Sequence, residues 1–393
     1  MLGFTYCTPT KVVFGNDALE QVGELIKSFG GTKVLIHYGG RSAVRSGLID
    51  RVKQILKESD LEYTELGGVV PNPHLEKVYE GIELCKKEGI DFILAVGGGS
   101  VIDSSKAICY GLAEPEKDVW ELFEKKRKAK AFFPMGAVLT IAAAGSEMSN
   151  SCVITDEKNQ LKRGYNDEIA RPLFAAMDPV LTMSLPDYQT ESGCVDIMMH
   201  TMERYFNSGG SMDLTDEIAE GLLRVVMKNA EILHTDPENY DARAEVMWAS
   251  SLSHNGLTGC GTDGGDWVCH RMEHELGGLY DVTHGAGLAA LWGSWARYVC
   301  KDCLDRFVRF AVKVMGVKPS GSDEETALEG IAAAEKFFRS IGMPTNIREL
   351  GVEPTEEEIA WMADSVISAN GEPFGSAKKL YIADVAEIYR RAR

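Results

Sequence analysis

Residues 91–107 read DFILAVGGGSVIDSSKA. A short apolar run rich in β-formers ends in three glycines, and a serine then opens a stretch of helical character, so the segment predicts strand, tight turn and helix. Gly97, Gly98 and Gly99 can present backbone N–H groups to a phosphate, Ser100 can cap the helix, and the helix dipole favours an anion there. A bare glycine turn is equally compatible with a purely structural role. Neither G-x-G-x-x-G nor G-x-x-x-x-G-K-[ST] is present, which removes the ordinary Rossmann fingerprint and the P-loop.

The same alternation extends on both sides. TKVLIHY at 32–38 is a second predicted strand, and amphipathic stretches at 47–58 and 75–88 predict helices between the strands. AFFPMGAVLTIAAAG at 131–145 is too short to span a bilayer and is interrupted by Pro134, so it reads as a buried strand running into a loop. Strand–helix alternation of this kind predicts an α/β domain with a parallel sheet covered on both faces. After Pro186 the pattern becomes helical, with predicted helices at 190–206, 214–234, 240–256, 303–315, 324–341, 355–369 and 380–392. A chain of 393 residues is long for one core, so the expectation is an α/β domain at 1–185 and an all-helical domain at 186–393. A second glycine turn, Gly39-Gly40-Arg41-Ser42, follows the earlier strand. Two such turns in one sheet suit a dinucleotide, because ligands collect outside the carboxyl ends of parallel strands.

The formal net charge of -18 argues against nucleic acid and anionic membrane surfaces as partners. The one basic cluster, KKRKAK at 125–130, reads as a solvated helix end or loop. Nine cysteines, an odd number, include a single C-x-x-C at Cys300 and Cys303 with no second half, which points to core thiols in a reducing cytoplasm. The opening MLGFTYCTPTKVVFG lacks the basic start and long apolar core of a secretory signal.

HRMEHELGGLYDVTH, residues 270–284, places three of the chain's eight histidines in fifteen positions. His270 and His274 share one helical face, and His284 follows a GG break that could return the chain to the same point. Upstream, Asp196 and His200 have the same i, i+4 spacing. Burying such a group of polar side chains without a shared partner is costly, and a divalent metal is that partner. His37, His74, His234 and His254 show no comparable spacing and read as structural or exposed. HRMEH also fits H-x-x-E-H, in which two histidines bind zinc and Glu273 activates water for peptide hydrolysis. That reading leaves the glycine turns and the Asp196/His200 pair unexplained.

Together these motifs resemble the iron-containing, or group III, alcohol dehydrogenases, and among them the branch of NAD(P)H-dependent butanol dehydrogenases. The resemblance runs through KVVFG near the start, PNP at 71–73, GGGSVIDSSK at 97–106, GSE at 145–147, DPVLTMSLP at 178–186 and the aspartate and histidine motifs. It implies a dehydroquinate synthase-like nucleotide-binding fold followed by a helical domain. It also implies a homodimer and Asp196, His200, His270 and His284 as ligands of one divalent metal, iron(II) or zinc. His274 then faces the substrate cleft as a proton carrier. Gly97, Gly98, Ser100 and Asp103 fall on the cofactor turn, with Asn72, Thr140, Lys162 and Leu181 as further cofactor contacts. The family commonly has Thr where this chain has Ala144, so one hydroxyl toward the cofactor is missing.

The implied reaction is hydride transfer between NAD(P)H and a primary alcohol or aldehyde such as butanol or butanal. A cation beside a single carboxylate leaves the site net positive, which polarises a substrate oxygen. No acid follows the strand TKVLIHY, so nothing there repels a 2′-phosphate, and Gly39, Gly40, Arg41 and Ser42 predict that NADP(H) is accepted and preferred, with NAD(H) also usable. A glycerol-dehydrogenase-like polyol enzyme and a dehydroquinate-synthase-like lyase are the alternatives.

Overall fold

Strands and helices alternate through the first half of the chain in the computed structural model, which describes residues 1–319 and 321–393. In order they are β1 (Lys11–Phe14), α1 (Val22–Ser28), β2 (Lys33–Tyr38), α2 (Arg41–Arg45), α3 (Leu48–Glu58), β3 (Glu62–Leu66), α4 (Leu75–Glu88), β4 (Phe92–Gly97), α5 (Gly99–Ala113), α6 (Trp120–Phe123), β5 (Met135–Leu139), β6 (Ser151–Asp156), β7 (Leu161–Asn166) and β8 (Phe174–Met177). Six of the strands form a parallel sheet in the order β1-β8-β5-β4-β2-β3.

Alternate strand residues face opposite sides of the sheet. Val34, Ile36, Phe92, Leu94 and Val96 pack on one side against Val22, Leu25 and Ile26 of α1 and Val52, Ile55 and Leu56 of α3. His37 points to the other side, where its ring nitrogens meet the Leu66 carbonyl at 2.8 Å and Ser104 Oγ of α5 at 2.9 Å. Burial lowers its pKa to about 4, so it is a neutral core histidine. From β2 the chain passes through α2 and α3 to β3, whereas from β4 it passes through α5 to β5, on the other side of β4 from β2. The adjacent carboxyl ends of β2 and β4 therefore flank a topological switch point, and both glycine turns lie there.

The antiparallel hairpin β6–β7 was not expected from the sequence, because its strands mix polar and small residues without clean alternation. In the basic cluster, Lys125, Lys126, Lys128 and Lys130 are exposed, and only Arg127 turns inward to Glu114 and Glu121.

The chain divides into two compact units, Cys7–Ser184 and Leu185–Arg393, and the second also contains Met1–Tyr6. The expectation that residues 1–6 belong to the first domain is thus corrected: the Leu2 N–H donates to the Gly261 carbonyl at 2.9 Å. The second unit consists of α7 (Asp187–Tyr205), α8 (Asp213–Thr235), α9 (Tyr240–His254), α10 (Val268–Tyr280), α11 (His284–Val299), α12 (Leu304–Lys313), α13 (Asp323–Ser340), α14 (Glu356–Asn370) and α15 (Ile382–Ala392). The predicted break at Gly277-Gly278 is also corrected. Both glycines lie inside α10, and the chain turns at Asp281, whose φ is 52°. Among the described residues no helix is long and apolar enough to cross a membrane.

Candidate functional site

Helix α7 is buried over almost its whole length, which makes polar side chains on it conspicuous. Asp196 and His200 stand one turn apart, and His200 Nδ1 lies 3.3 Å from Asp196 Oδ1. From α10, His270 Nε2 comes to 3.6 Å of the same carboxylate oxygen, and from the first residue of α11, His284 Nε2 comes to 3.8 Å. Ligand atoms of Asp196, His270 and His284 all fall within 4.8 Å of one another. Two donors each about 2.1 Å from one ion at tetrahedral angles stand about 3.4 Å apart, so the spacing suits a single divalent cation.

The hydrogen-bond accounting agrees. Asp196 Oδ1, His200 Nδ1 and His270 Nε2 are buried polar atoms without hydrogen-bond partners. Such atoms are rare in folded proteins; those of Asp196 and His270 belong to the converging group and call for a common partner there, whereas His200 reaches Asp196 but lies outside that group. The opposite edges of His270 and His284 are held. Glu203 accepts from the His270 backbone N–H at 3.0 Å and meets His270 Nδ1 at 2.8 Å, so one carboxylate fixes both the start of α10 and the imidazole orientation. Glu273 is fully buried and pairs with His284 Nδ1. Burial disfavours the charged form of His270, but the Glu203 charge, with the hydrogen bond to Glu203 and the nearby Asp196 charge, outweighs it and raises the pKa to about 9. For His200 burial prevails, and its pKa is held well below the usual value, reinforced by His254 and His270.

Close helix packing brings the third ligand in. A Cβ on Gly285 would stand 2.0 Å from the Ser192 carbonyl oxygen, so only glycine lets the start of α11 press onto the backbone of α7 beside Asp196.

In the other unit, Gly97 ends β4 and Gly98 stands at the cap of α5, which begins at Gly99; Ser100 is the second residue of the helix and not its cap, contrary to expectation. Thr140 follows β5 and its N–H donates to the Gly97 carbonyl at 3.1 Å. Leu181 lies in a short turn after β8 and packs partly buried against the core below α1 and α3. Asn72 has a left-handed backbone with φ 53°. The neighbouring Pro73 carbonyl accepts from Thr155 N–H at 2.8 Å, and Thr155 pairs across the hairpin with Lys162, which is buried. The unexpected hairpin is therefore what draws Lys162 toward Asn72. Gly39 and Gly40 close β2, Ser42 is exposed on α2, and the side chain of Arg41 lies outside the described residues. Asp103 is buried, and its two carboxylate oxygens accept from Ser146 Oγ and the Val153 N–H, both at 2.9 Å.

Residues 9–179 match the family described as iron-containing alcohol dehydrogenase, and residues 190–393 match the C-terminal part of the Fe-containing alcohol dehydrogenase family. The chain belongs to the iron-containing alcohol dehydrogenase family. NADH-dependent butanol dehydrogenase A of Clostridium acetobutylicum is 40% identical over 393 residues, covering 100% of both chains. NADPH-dependent aldehyde reductase YqhD of Escherichia coli is 36% identical over 90% of each chain. The solved structure of NADH-dependent butanol dehydrogenase A from Thermotoga maritima is similar with a TM-score of 0.95 at 40% identity, covering 100% of this chain and 99% of that one.

The Glu273 carboxylate pairs with the candidate ligand His284, a contact that suits an orienting role rather than the water activation that H-x-x-E-H would assign to it. His274, one turn after His270, is buried with its ring 6.0 Å from that of His284 and lies outside the group of three converging ligands. Sequence reading missed Glu203, although its spacing from Asp196 and His200 on one helix was a usable signal. It also set His254 aside, yet that ring lies 3.9 Å from His200. Nothing in the spacing could reveal this, since α9 and α7 meet only in the folded unit. Partners that orient a metal-binding histidine typically contribute 10–100-fold to metal affinity, so Glu203→Gln and Glu273→Gln are each expected to weaken metal binding by about tenfold or more. Competition with a chelator followed by metal analysis measures this. A Glu273→Gln protein that keeps its metal affinity but loses all turnover would favour the water-activating role instead.

Proposed function

We propose that this protein is a metal-dependent alcohol dehydrogenase and aldehyde reductase, moving a hydride between NAD(P)H and a primary alcohol or aldehyde of the butanol and butanal class. The observation that carries the reading is the convergence of Asp196, His270 and His284, the first two with unpartnered buried atoms, in a family whose relatives bear those names.

Asp196, His270 and His284, with His200 added on its contact with Asp196 and on the family likeness, would hold one divalent cation, iron(II) in this proposal. When bound, the cation supplies positive charge that polarises the substrate oxygen, while the nicotinamide supplies or takes the hydride. Glu203 and Glu273 keep the imidazoles of His270 and His284 turned inward. His274 exchanges the substrate hydroxyl proton with solvent. Gly97, Gly98 and Ser100 bind the pyrophosphate at the start of α5, where backbone N–H groups and the helix dipole favour an anion. Asp103 acts through Ser146, and Asn72, Thr140, Lys162 and Leu181 line the remainder of the dinucleotide. A homodimer is proposed on the family likeness alone. A reducing cytoplasm is proposed on nine free cysteines.

Protein purified without oxygen should reduce butanal with a reduced nicotinamide in proportion to its iron content. Activity that tracks zinc would replace the metal, and no activity on any short-chain aldehyde would overturn the reading.

For the cofactor, we propose that NADPH is preferred and NADH also used, since Gly39, Gly40, Arg41 and Ser42 place no carboxylate at the adenosine end. Relatives are named for both cofactors. A Cβ on Gly39 would meet nothing nearer than the Val69 carbonyl oxygen at 3.5 Å, so the backbone there accepts the first carbon of a Gly39→Asp side chain without a clash. That substitution is expected to shift the kcat/KM ratio toward NADH by at least about tenfold, or 1.4 kcal/mol. A strong NADH preference in the wild type, or an unchanged ratio, defeats the proposal.

A further inference from the structure

The loop that follows β5 rests directly on the glycine turn. A Cβ on Gly98 would stand 2.9 Å from Ile141 Cβ, and one on Gly99 would stand 2.9 Å from Ala144 Cβ. The shape of any pocket at the start of α5 is therefore set by where residues 141–146 lie. These residues form no regular structure, and something other than strand or helix hydrogen bonds must hold them and the segment that follows.

Two side chains one turn apart on α5 do so in opposite senses. Asp103 accepts from the Ser146 hydroxyl and the Val153 N–H. Lys106 is fully buried, and its ammonium group donates to the Ser149 carbonyl at 2.9 Å and the Ser151 carbonyl at 2.7 Å, with Ser149 Oγ at 3.4 Å. The acid takes the loop's donors and the ammonium takes its carbonyls. Arg171 adds a further cation on the Met148 carbonyl. A buried lysine is expensive unless its protons are bonded and its charge is balanced. Here three loop acceptors and nearby Asp103 meet both needs, and burial still pulls its pKa below the usual lysine value. Gly145, at φ 62°, lets the chain turn down into this clamp.

We infer that Lys106 is a positioning residue for the nicotinamide dinucleotide: with Asp103 it fixes loop 141–151 over the glycine turn, and that placement sets cofactor affinity. The lysine touches no cofactor itself. The inference rests on the reading that the glycine turn binds NAD(P)H, and the wild-type titration tests that reading separately.

The test is NADPH binding, followed by nicotinamide fluorescence, to full-length metal-loaded wild type, Lys106→Met and Lys106→Arg, with metal content measured in each. Lys106→Met is expected to raise the Kd for NADPH by tenfold or more and to leave the metal content unchanged, because the candidate ligands lie in the other unit. Lys106→Arg keeps the cation and should fall between the two. Should Lys106→Met fail to fold, backbone hydrogen exchange over 145–151 in Lys106→Arg decides: faster exchange should accompany weaker binding. A Kd within twofold of wild type in Lys106→Met, or loosened exchange without loss of affinity in Lys106→Arg, overturns the inference. A wild type that does not bind NADPH or NADH overturns the underlying reading instead.

Discussion

Replacing His270 or His284 by Ala is expected to remove both bound metal and turnover. Each side chain contributes one of three ligand atoms that converge within 4.8 Å, and each is turned inward by a buried carboxylate. Loss of either leaves a site with one carboxylate and too few nitrogens to hold a divalent ion against water. Because such an ion supplies several kcal/mol of charge stabilisation in the transition state, kcat should drop by about a thousandfold or more. The variant proteins should also carry a buried acid, Glu203 or Glu273, that has lost its partner ring. Some loss of thermal stability is therefore expected alongside the loss of metal. Elemental analysis of each variant, with butanal reduction measured in parallel, checks the prediction. Full metal occupancy in either variant would sink the assignment.

The second large effect is expected at His274. This residue shares a face of α10 with His270 but does not join the converging group, so His274→Ala should keep the metal and the cofactor affinity. Loss of a positioned proton carrier typically costs 10²–10⁴-fold, and kcat should fall by about that range while the pH dependence of kcat/KM changes shape. A structural role would lower stability without altering the pH profile. If the metal is lost together with His274, the division of labour along α10 is wrong, and His274 belongs to the ligand set.

How much of this was legible in the chain depends on the range of the interaction. The run DFILAV, three glycines and the helix after them are local, and strand, turn and helix formed there as expected. The i, i+4 spacings of Asp196 with His200 and of His270 with His274 are local too, because one helical turn places such residues on one face whatever surrounds them. The helical second half was readable for the same reason. The boundaries of the seven helices predicted there shifted by a few residues only, whereas α11 was not anticipated and α10 was anticipated only around His270 and His274, with a supposed break at Gly277-Gly278. There propensity misled: glycine weakens a helix by about 1 kcal/mol relative to alanine, which packing of α10 overrides.

Other features have no local signature. Ser151–Asp156 and Leu161–Asn166 become strands by pairing with each other, and Thr155 with Lys162 is a contact that neither segment specifies alone. Glu203 orients His270 across 67 residues of chain, and Lys106 holds carbonyls 43 and 45 residues away. Gly285 looked like one glycine among 40 until the Ser192 carbonyl was found against it. By itself, then, the sequence determined the order of the elements, the two glycine turns and the residue types able to bind a metal, since these follow from backbone periodicity and side-chain chemistry. Only the tertiary structure decided which imidazoles converge, which carboxylates turn them and which buried cation holds the loop over the turn. Those choices depend on burial and on contacts between distant segments, where a polar atom must find its partner once water is excluded.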